Sequence, residues 1–278
     1  MAESFGERLA SAIVARGPLC VGVDPSAEVL RSWGRSDTVG DLEYASLRLL
    51  EAVGASATAL KPQVAFYERF ASAGFAVLER VIAEARASGL LVIADAKRGD
   101  IDSTNEGYAS AWLEDSSPLC VDALTVSPYV GLGALGPFVE RARRGARGLF
   151  VLAATSNPEG RRIQSARTLG GDSVEVDVLA GVAALNARTD GRGAVGVVIG
   201  GTRAAPDFPL DELGGPVLVP GVGAQGATPE DVARVTAKCA RASVLASVSR
   251  AISGAGPDRG ALADAAARWR DATAAHLL

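Results

Sequence analysis

The segment IADAKRGDIDST puts Asp95, Lys97, Asp100 and Asp102 within eight positions of one another, directly after the apolar run Leu90–Ala94. A lysine among carboxylates stays protonated, so Lys97 has the chemistry of an acid that delivers a proton to a developing carbanion. A carboxylate held beside a substrate, as Asp100 could be, repels a substrate carboxylate and favours its departure. The alternative is a structural ion-pair network that ties strand ends together. The triplet Arg98–Asp100 reads RGD, a cell-adhesion signal elsewhere, but its place at the end of an apolar strand argues against that use.

Lysine usage points to the same place. Lysine and arginine together number 28, yet the only lysines are Lys61, Lys97 and Lys238. Lys61 and Lys97 stand at the polar ends of apolar segments, and a lysine, unlike arginine, is a compact charge able to give up its proton. A second motif, PGVGAQG, sets Gly221, Gly223 and Gly226 at the spacing G-x-G-x-x-G. A dinucleotide-binding turn would stand early in the chain with an acidic residue about 20 positions on. This turn stands late, where it suits a phosphate site, with Arg250 offering a fork of donors and Gln225 reaching over the ligand. A plain glycine turn with a surface arginine is the other reading.

The elements that must position these groups form a repeat. Apolar runs occur at Leu19–Asp24, Ala57–Lys61, Leu90–Lys97, Asp122–Ser127, Gly148–Thr155, Ala194–Gly201, Pro216–Val222 and Ser243–Ser249, and most intervening segments carry helical periodicity. Among the helical segments are LEYASLRLLEAVG, FAVLERVIAEARASG, STNEGYASAWLED, VEVDVLAGVAALNAR and PEDVARVTAKCARA. Ser103 with Glu106 reads as a capping box, and Thr228-Pro229 as a cap before a first-turn proline. Eight βα units in one domain spanning 1–278 predict a (β/α)8 TIM barrel, whose active site lies at the C-terminal strand ends. Phe5, Leu9 and Ile13 add an amphipathic helix before the first strand. In the third strand, a period of two places Leu91, Ile93, Asp95 and Lys97 on the face toward the barrel mouth. Asp24 and Lys61, ending the first two strands, join them as alternating charges.

Composition removes other classes. The single histidine, His276, lies near the C-terminus, where a frayed end is expected, which argues against serine–histidine and cysteine–histidine triads and most zinc sites. Cys20, Cys120 and Cys239 read as reduced, buried thiols. A net charge of −4 and pI near 5.2 give no basic footprint for nucleic acid. Mean hydropathy is +0.20, but no apolar run is long enough for a bilayer, and the N-terminus lacks a basic leader. A soluble cytoplasmic protein is expected.

DAKRGDIDSTNEGYA resembles the Asp-x-Lys-x-x-Asp-Ile signature and the following Thr-Asn-Glu of the orotidine 5′-phosphate decarboxylase family; KPQVAFYE and PGVGAQG are similar to further segments of its long bacterial subgroup. The likeness runs in order from Asp24 to Arg250. It implies decarboxylation of orotidine 5′-phosphate to UMP in pyrimidine biosynthesis by a homodimer, without cofactor or metal. It implies a charged tetrad of Lys61, Asp95, Lys97 and Asp100, with Asp100 contributed across the dimer interface to the neighbour's site and Lys97 protonating C6 after CO2 leaves. By the same resemblance Asp24 and Lys61 hold the ribose, Thr104 serves the neighbour's ribose, Ser127 contacts the pyrimidine, and Ile101 lies beside the leaving carboxylate. Gly223, Gln225 and Arg250 grip the phosphate. Asp102 departs from the family pattern, which has a small residue or proline there. Asn157 and Gln164 belong to a loop, Ser156–Asp172, that could close over the base. Two rivals stand beside this reading. A Mg2+-dependent sugar-phosphate decarboxylase or aldolase of the same suprafamily would carry a carboxylate where Lys61 stands. A catalytically dead barrel would bind the nucleotide without turning it over.

Overall fold

A computed structural model describes residues 3–189, 191–240 and 242–278. Eight parallel strands close into a barrel in chain order: β1 (Leu19–Val23), β2 (Ala59–Pro62), β3 (Leu91–Arg98), β4 (Ala123–Val126), β5 (Gly148–Ala154), β6 (Val195–Ile199), β7 (Val217–Val222) and β8 (Val244–Val248), the last paired back to β1. The expected (β/α)8 TIM barrel is the fold, and each strand falls within two residues of its expected bounds.

The period of two sorts every strand between two cores. Cys20, Ala59, Ile93, Phe150, Leu218 and Leu245 point inward and form the barrel interior. Their neighbours, such as Val21, Leu60, Val92 and Ala94, face outward into a larger core against the helices. Ile93 inside and Val92 and Ala94 outside put Asp95 on the interior face, as the alternation predicts.

The helix Phe5–Arg16 closes the N-terminal end of the barrel. Ser4 and Glu7 form its capping box, and Phe5, Leu9 and Ile13 join the interior cluster. Phe5 meets Phe150 edge to face with ring centroids 6.0 Å apart. This contact needs Gly148, since a Cβ there would lie 2.1 Å from the Phe5 ring. Arg8 adds an ion pair of 2.8 Å to Asp122, whose second oxygen accepts the Val92 N–H. With such an end plug, the opposite end of the barrel is the open one.

Some local expectations fail for identifiable reasons. Ser103 and Glu106 form no capping box: the helix Asp102–Leu113 begins earlier, after Ile101, so Ser103 lies inside its first turn. Asp102 takes a left-handed φ of +45°, a conformation that aspartate tolerates better than most residues. Between β6 and β7 only a 3-10 turn, Leu210–Leu213, appears, because Pro206, Pro209 and Pro216 interrupt the segment. The helix after β7 has its expected cap, Thr228 with Asp231, but ends at Val235, where Thr236 turns its hydroxyl back onto the Val232 carbonyl. Arg241, in the remainder of that expected helix, lies outside the described residues. The helix Gly136–Arg144, opened by Pro137, was not legible in advance. His276 sits in the last turn of the helix Arg259–Leu277, 3.0 Å from Glu230, rather than at a frayed end. Cys20, Cys120 and Cys239 are free; the first two are buried and Cys239 half-buried. No helix among the described residues is long and apolar enough to cross a membrane.

Candidate active site

At the C-terminal ends of the strands a cavity of about 290 Å3 is lined by Asp24, Lys61, Asp95 and Lys97, together with Gln225 and Arg250. Strand order alone explains the first four, because β1, β2 and β3 are neighbours and each ends in one or two of these charges.

Asp95 is the centre of the cluster. Its Oδ2 accepts from Lys61 Nζ at 2.8 Å and from Gln63 Nε2 at 3.2 Å, while Oδ1 accepts from Lys97 Nζ at 2.6 Å and from Thr125 Oγ1 at 3.0 Å. Each oxygen thus receives two donors, which is close to the full capacity of a carboxylate. Burial works against the Asp95 anion, but the ammonium groups of Lys61 and Lys97 outweigh it and hold its pKa well below the usual carboxylate range. Burial also opposes the Lys61 ammonium, and the carboxylates of Asp95 and Asp24 overcome that and raise its pKa. Lys61 is enclosed, with its side chain 7% exposed, whereas the Lys97 side chain is 45% exposed and reaches the open cavity. The arrangement presents one accessible amine, that of Lys97, beside a buried carboxylate and an enclosed amine.

Asp24 is held by Ser249, whose Oγ donates to Oδ2 at 2.6 Å. Its other oxygen, Oδ1, is buried and has no hydrogen-bond partner among the described residues. A buried carboxylate oxygen in that condition is a strong acceptor for a hydroxyl entering the cavity.

The glycine turn after β7 adopts the backbone that only glycine takes readily: φ is +92°, +80° and +94° at Gly221, Gly223 and Gly226. Gly223 also packs so closely that a Cβ would stand 2.7 Å from Ala251. Gln225, within the turn, accepts from Ser156 Oγ of the β5 loop at 3.1 Å. Arg250 begins the short helix Arg250–Ser253 after β8 and is exposed at the same rim. Gly223 itself is not among the cavity-lining residues, but the adjoining Val222 and Ala224 are.

Other expected site residues lie elsewhere. Asp100 and Ile101, in the loop that follows β3, and Thr104, in the first turn of the helix Asp102–Leu113, do not line this cavity. The Asp100 carboxylate accepts the Ile101 N–H at 2.8 Å, and the Ile101 side chain is exposed. Ser127 also stays outside; its N–H donates to the Arg98 carbonyl at 2.8 Å, where Gly99 lets the two strand ends approach. Asn157 lines the cavity, while Gln164 folds back on the end of β5, accepting the Thr155 N–H at 3.0 Å and donating to its Oγ1 at 2.8 Å.

Sequence reasoning missed Gln63, Thr125, Thr155, Ser156, Ser247 and Ser249, all of which line the cavity. Part of the signal was present: 59-61-63, 123-125 and 245-247-249 continue the inward period of two on β2, β4 and β8. Neutral polar residues at strand ends attract less notice than charges. Among the described residues no group of three or more His, Cys, Asp or Glu side chains is placed to hold a metal ion.

The chain is similar to known proteins over most of its length. A family model described as orotidine 5′-phosphate decarboxylase / HUMPS family matches residues 17–265. An orotidine 5′-phosphate decarboxylase of Streptomyces coelicolor is 51% identical over 269 residues, covering 96% of each chain. One from Salinispora arenicola is 50% identical over 266 residues, covering 96% of this chain and 95% of the relative. The crystal structure of a Streptomyces avermitilis relative, 50% identical, superposes with a TM-score of 0.94 over 99% of this chain and 96% of the other.

Proposed function

The chain belongs to the orotidine 5′-phosphate decarboxylase / HUMPS family, and from that premise we propose how its barrel mouth converts orotidine 5′-phosphate to UMP and CO2. The enzyme is a carbon–carbon lyase of pyrimidine biosynthesis. The phosphate sits against the β7 turn, at Gly223 and Gln225, with Arg250 supplying charge-assisted donors. The ribose hydroxyls take up the free valence of Asp24 Oδ1 and the remaining donors of Lys61. The base then lies over Lys97, with Ser127 proposed to contact the pyrimidine and the hydroxyls of Thr155 and Ser156 lining the cavity just after β5.

As the C6–carboxylate bond breaks, its electron pair remains on C6 and takes a proton from Lys97 Nζ; solvent restores that proton after product leaves. Asp95 keeps the Lys97 amine aimed until that moment. The observation that carries this reading is the doubly bridged Asp95, flanked by one enclosed and one accessible ammonium. Binding energy from the remote phosphate supplies the drive for a reaction that uses no cofactor.

Asp100 and Thr104 are proposed to serve the neighbouring site of a homodimer, with Ile101 beside the carboxylate that leaves there. Their position off their own cavity supports this, as do the exposed Ile101, Tyr129 and Val130 on loops that follow the adjacent strands β3 and β4. Mixing Lys97→Ala with Asp100→Ala subunits tests it: random exchange restores about a quarter of wild-type activity if Asp100 acts across the interface of a two-fold dimer, and none if it acts within its own chain. The compartment consistent with this reading is the cytoplasm.

The first test of the reaction is loss of orotidine 5′-phosphate absorbance in excess EDTA, with Lys97→Ala as control. Rapid loss with wild type alone is expected, with UMP binding retained in the variant. Near-normal turnover by Lys97→Ala overturns the proton-donor role, and activity restored only by Mg2+ favours the metal-dependent relatives.

A further inference from the structure

We propose that Thr125 is a positioning residue for the reaction, whose buried hydroxyl fixes Lys97 in the one backbone conformation that brings its amine to Asp95. The inference rests on Lys97 being the proton donor and concerns how the fold holds it there.

Up to Ala94, β3 runs beside β4 in regular register, Ile93 with Ala123 and Ala94 with Leu124. The next pair is Arg98 with Val126, so the β3 side advances four residues while the β4 side advances two. The extra length bulges outward from the ladder over Asp95–Lys97, and Lys97 there adopts a φ of +49°, in the left-handed region. A lysine does not favour that region, and strain of this kind persists only where surroundings enforce it. The bulge also takes Lys97 off the regular β3–β4 ladder, so its N–H needs another acceptor.

Thr125 resolves both difficulties with one atom. Its Oγ1 accepts the Lys97 N–H at 3.0 Å and lies 3.0 Å from Asp95 Oδ1, to which it donates. The side chain is 1% exposed, so water does not replace it in either role. Thr125 therefore ties the Lys97 backbone to the same carboxylate that its amine grips at 2.6 Å. The bulge, the left-handed residue and the acid form one closed ring: Lys97 N–H, Thr125 hydroxyl, Asp95 carboxylate, Lys97 amine. β-Bulges next to active sites commonly re-aim a side chain in this way.

Thr125→Val keeps the shape of the side chain and removes the hydroxyl; Thr125→Ser keeps the hydroxyl and removes a methyl. For Thr125→Val a fall in kcat of about a hundredfold is expected, the scale of an ångström-sized misplacement of a reacting group. The dissociation constant for UMP, read by calorimetry, is expected to stay within about threefold of wild type, because phosphate and ribose contacts are elsewhere. Thr125→Ser is expected to recover most of the kcat. A merely structural threonine would instead change kcat and UMP affinity together, or would be served as well by valine as by serine. Thr125→Val with wild-type kcat, or Thr125→Ser as impaired as Thr125→Val, overturns the proposal. Lys97→Ala measured alongside separates the two levels: if it loses turnover while Thr125→Val does not, only the role of Thr125 fails, whereas turnover by Lys97→Ala removes the premise.

Discussion

Replacing Asp95 with Asn tests whether this carboxylate is what keeps a charged lysine inside the barrel. The amide has nearly the same shape, yet it carries no charge and brings N–H donors to a position where four donors already converge. Lys61, with a side chain only 7% exposed, must then either bury an ammonium with Asp24 as its remaining carboxylate or fold as a neutral amine. Folding neutral costs the free energy of deprotonating an ordinary lysine, about 4.6 kcal/mol at pH 7 and about 1.9 kcal/mol at pH 9. That cost bounds the charge contribution and agrees with the range of about 3–5 kcal/mol for breaking a buried pair. In the wild type the folded pKa of Lys61 is raised, since Asp95 and Asp24 overcome the effect of burial. Its contribution is therefore intact below the ordinary lysine pKa and is lost only as pH rises through the folded value. In the variant the folded pKa is depressed, the unfolded chain binds more protons, and stability rises with pH. The gap between the two proteins should thus narrow by up to about 2.7 kcal/mol between pH 7 and pH 9. The lowered pKa of Asp95 leaves it ionised throughout this window and adds no slope of its own. Urea unfolding at fixed protein concentration, followed by the fluorescence of Trp33, Trp112 and Trp269, measures the gap. A loss under about 1 kcal/mol at pH 7, the scale of an exposed pair, refutes the reasoning, as does a gap that fails to shrink by pH 9.

Three further outcomes follow from other parts of the barrel. Arg250→Ala should weaken UMP binding by about 1.5–3 kcal/mol, the value of hydrogen bonds to a charged group, and leave uridine binding unchanged; equal losses for both ligands in calorimetry would move Arg250 away from the phosphate. Phe5→Ala should cost about 3–5 kcal/mol of stability through the cavity left against Phe150, with KM unaltered because the plug lies at the far end of the barrel from the site. Burial pushes the Cys20 thiol up to about 12 and the Cys239 thiol likewise to about 12. Both should remain protonated and unreactive toward a thiolate-specific reagent at pH 8 in the folded protein, and react on unfolding; rapid modification of Cys20 in the native state would contradict its enclosure.

The strands and the charges were legible in the sequence because both obey short-range rules. Apolar runs with a period of two mark strands covered on both faces, and the same period assigned Ile93 and Asp95 to the interior before any contact was known. Lysine, used so sparingly here, marked Lys61 and Lys97, and the glycine spacing marked a turn whose three φ values are all positive. Where competing local preferences met, the reading failed, as at Ser103, at the proline-broken segment before β7 and at the helix that Thr236 ends.

What the sequence determined by itself was therefore the set of charged groups and the order in which strands deliver them, since strand order in a closed barrel follows chain order. Only the tertiary structure decided which groups meet. The bridging of Asp95 by Lys61 and Lys97, the orphan oxygen of Asp24, the hydroxyl of Thr125 and the exclusion of Asp100, Ile101, Thr104 and Ser127 from their own cavity all depend on register and on the bulge between Ala94 and Arg98. Those are set by contacts between residues about 30 apart in the chain, such as Lys61 with Asp95 and Lys97 with Thr125, and a shift of one residue would turn every side chain to the other face.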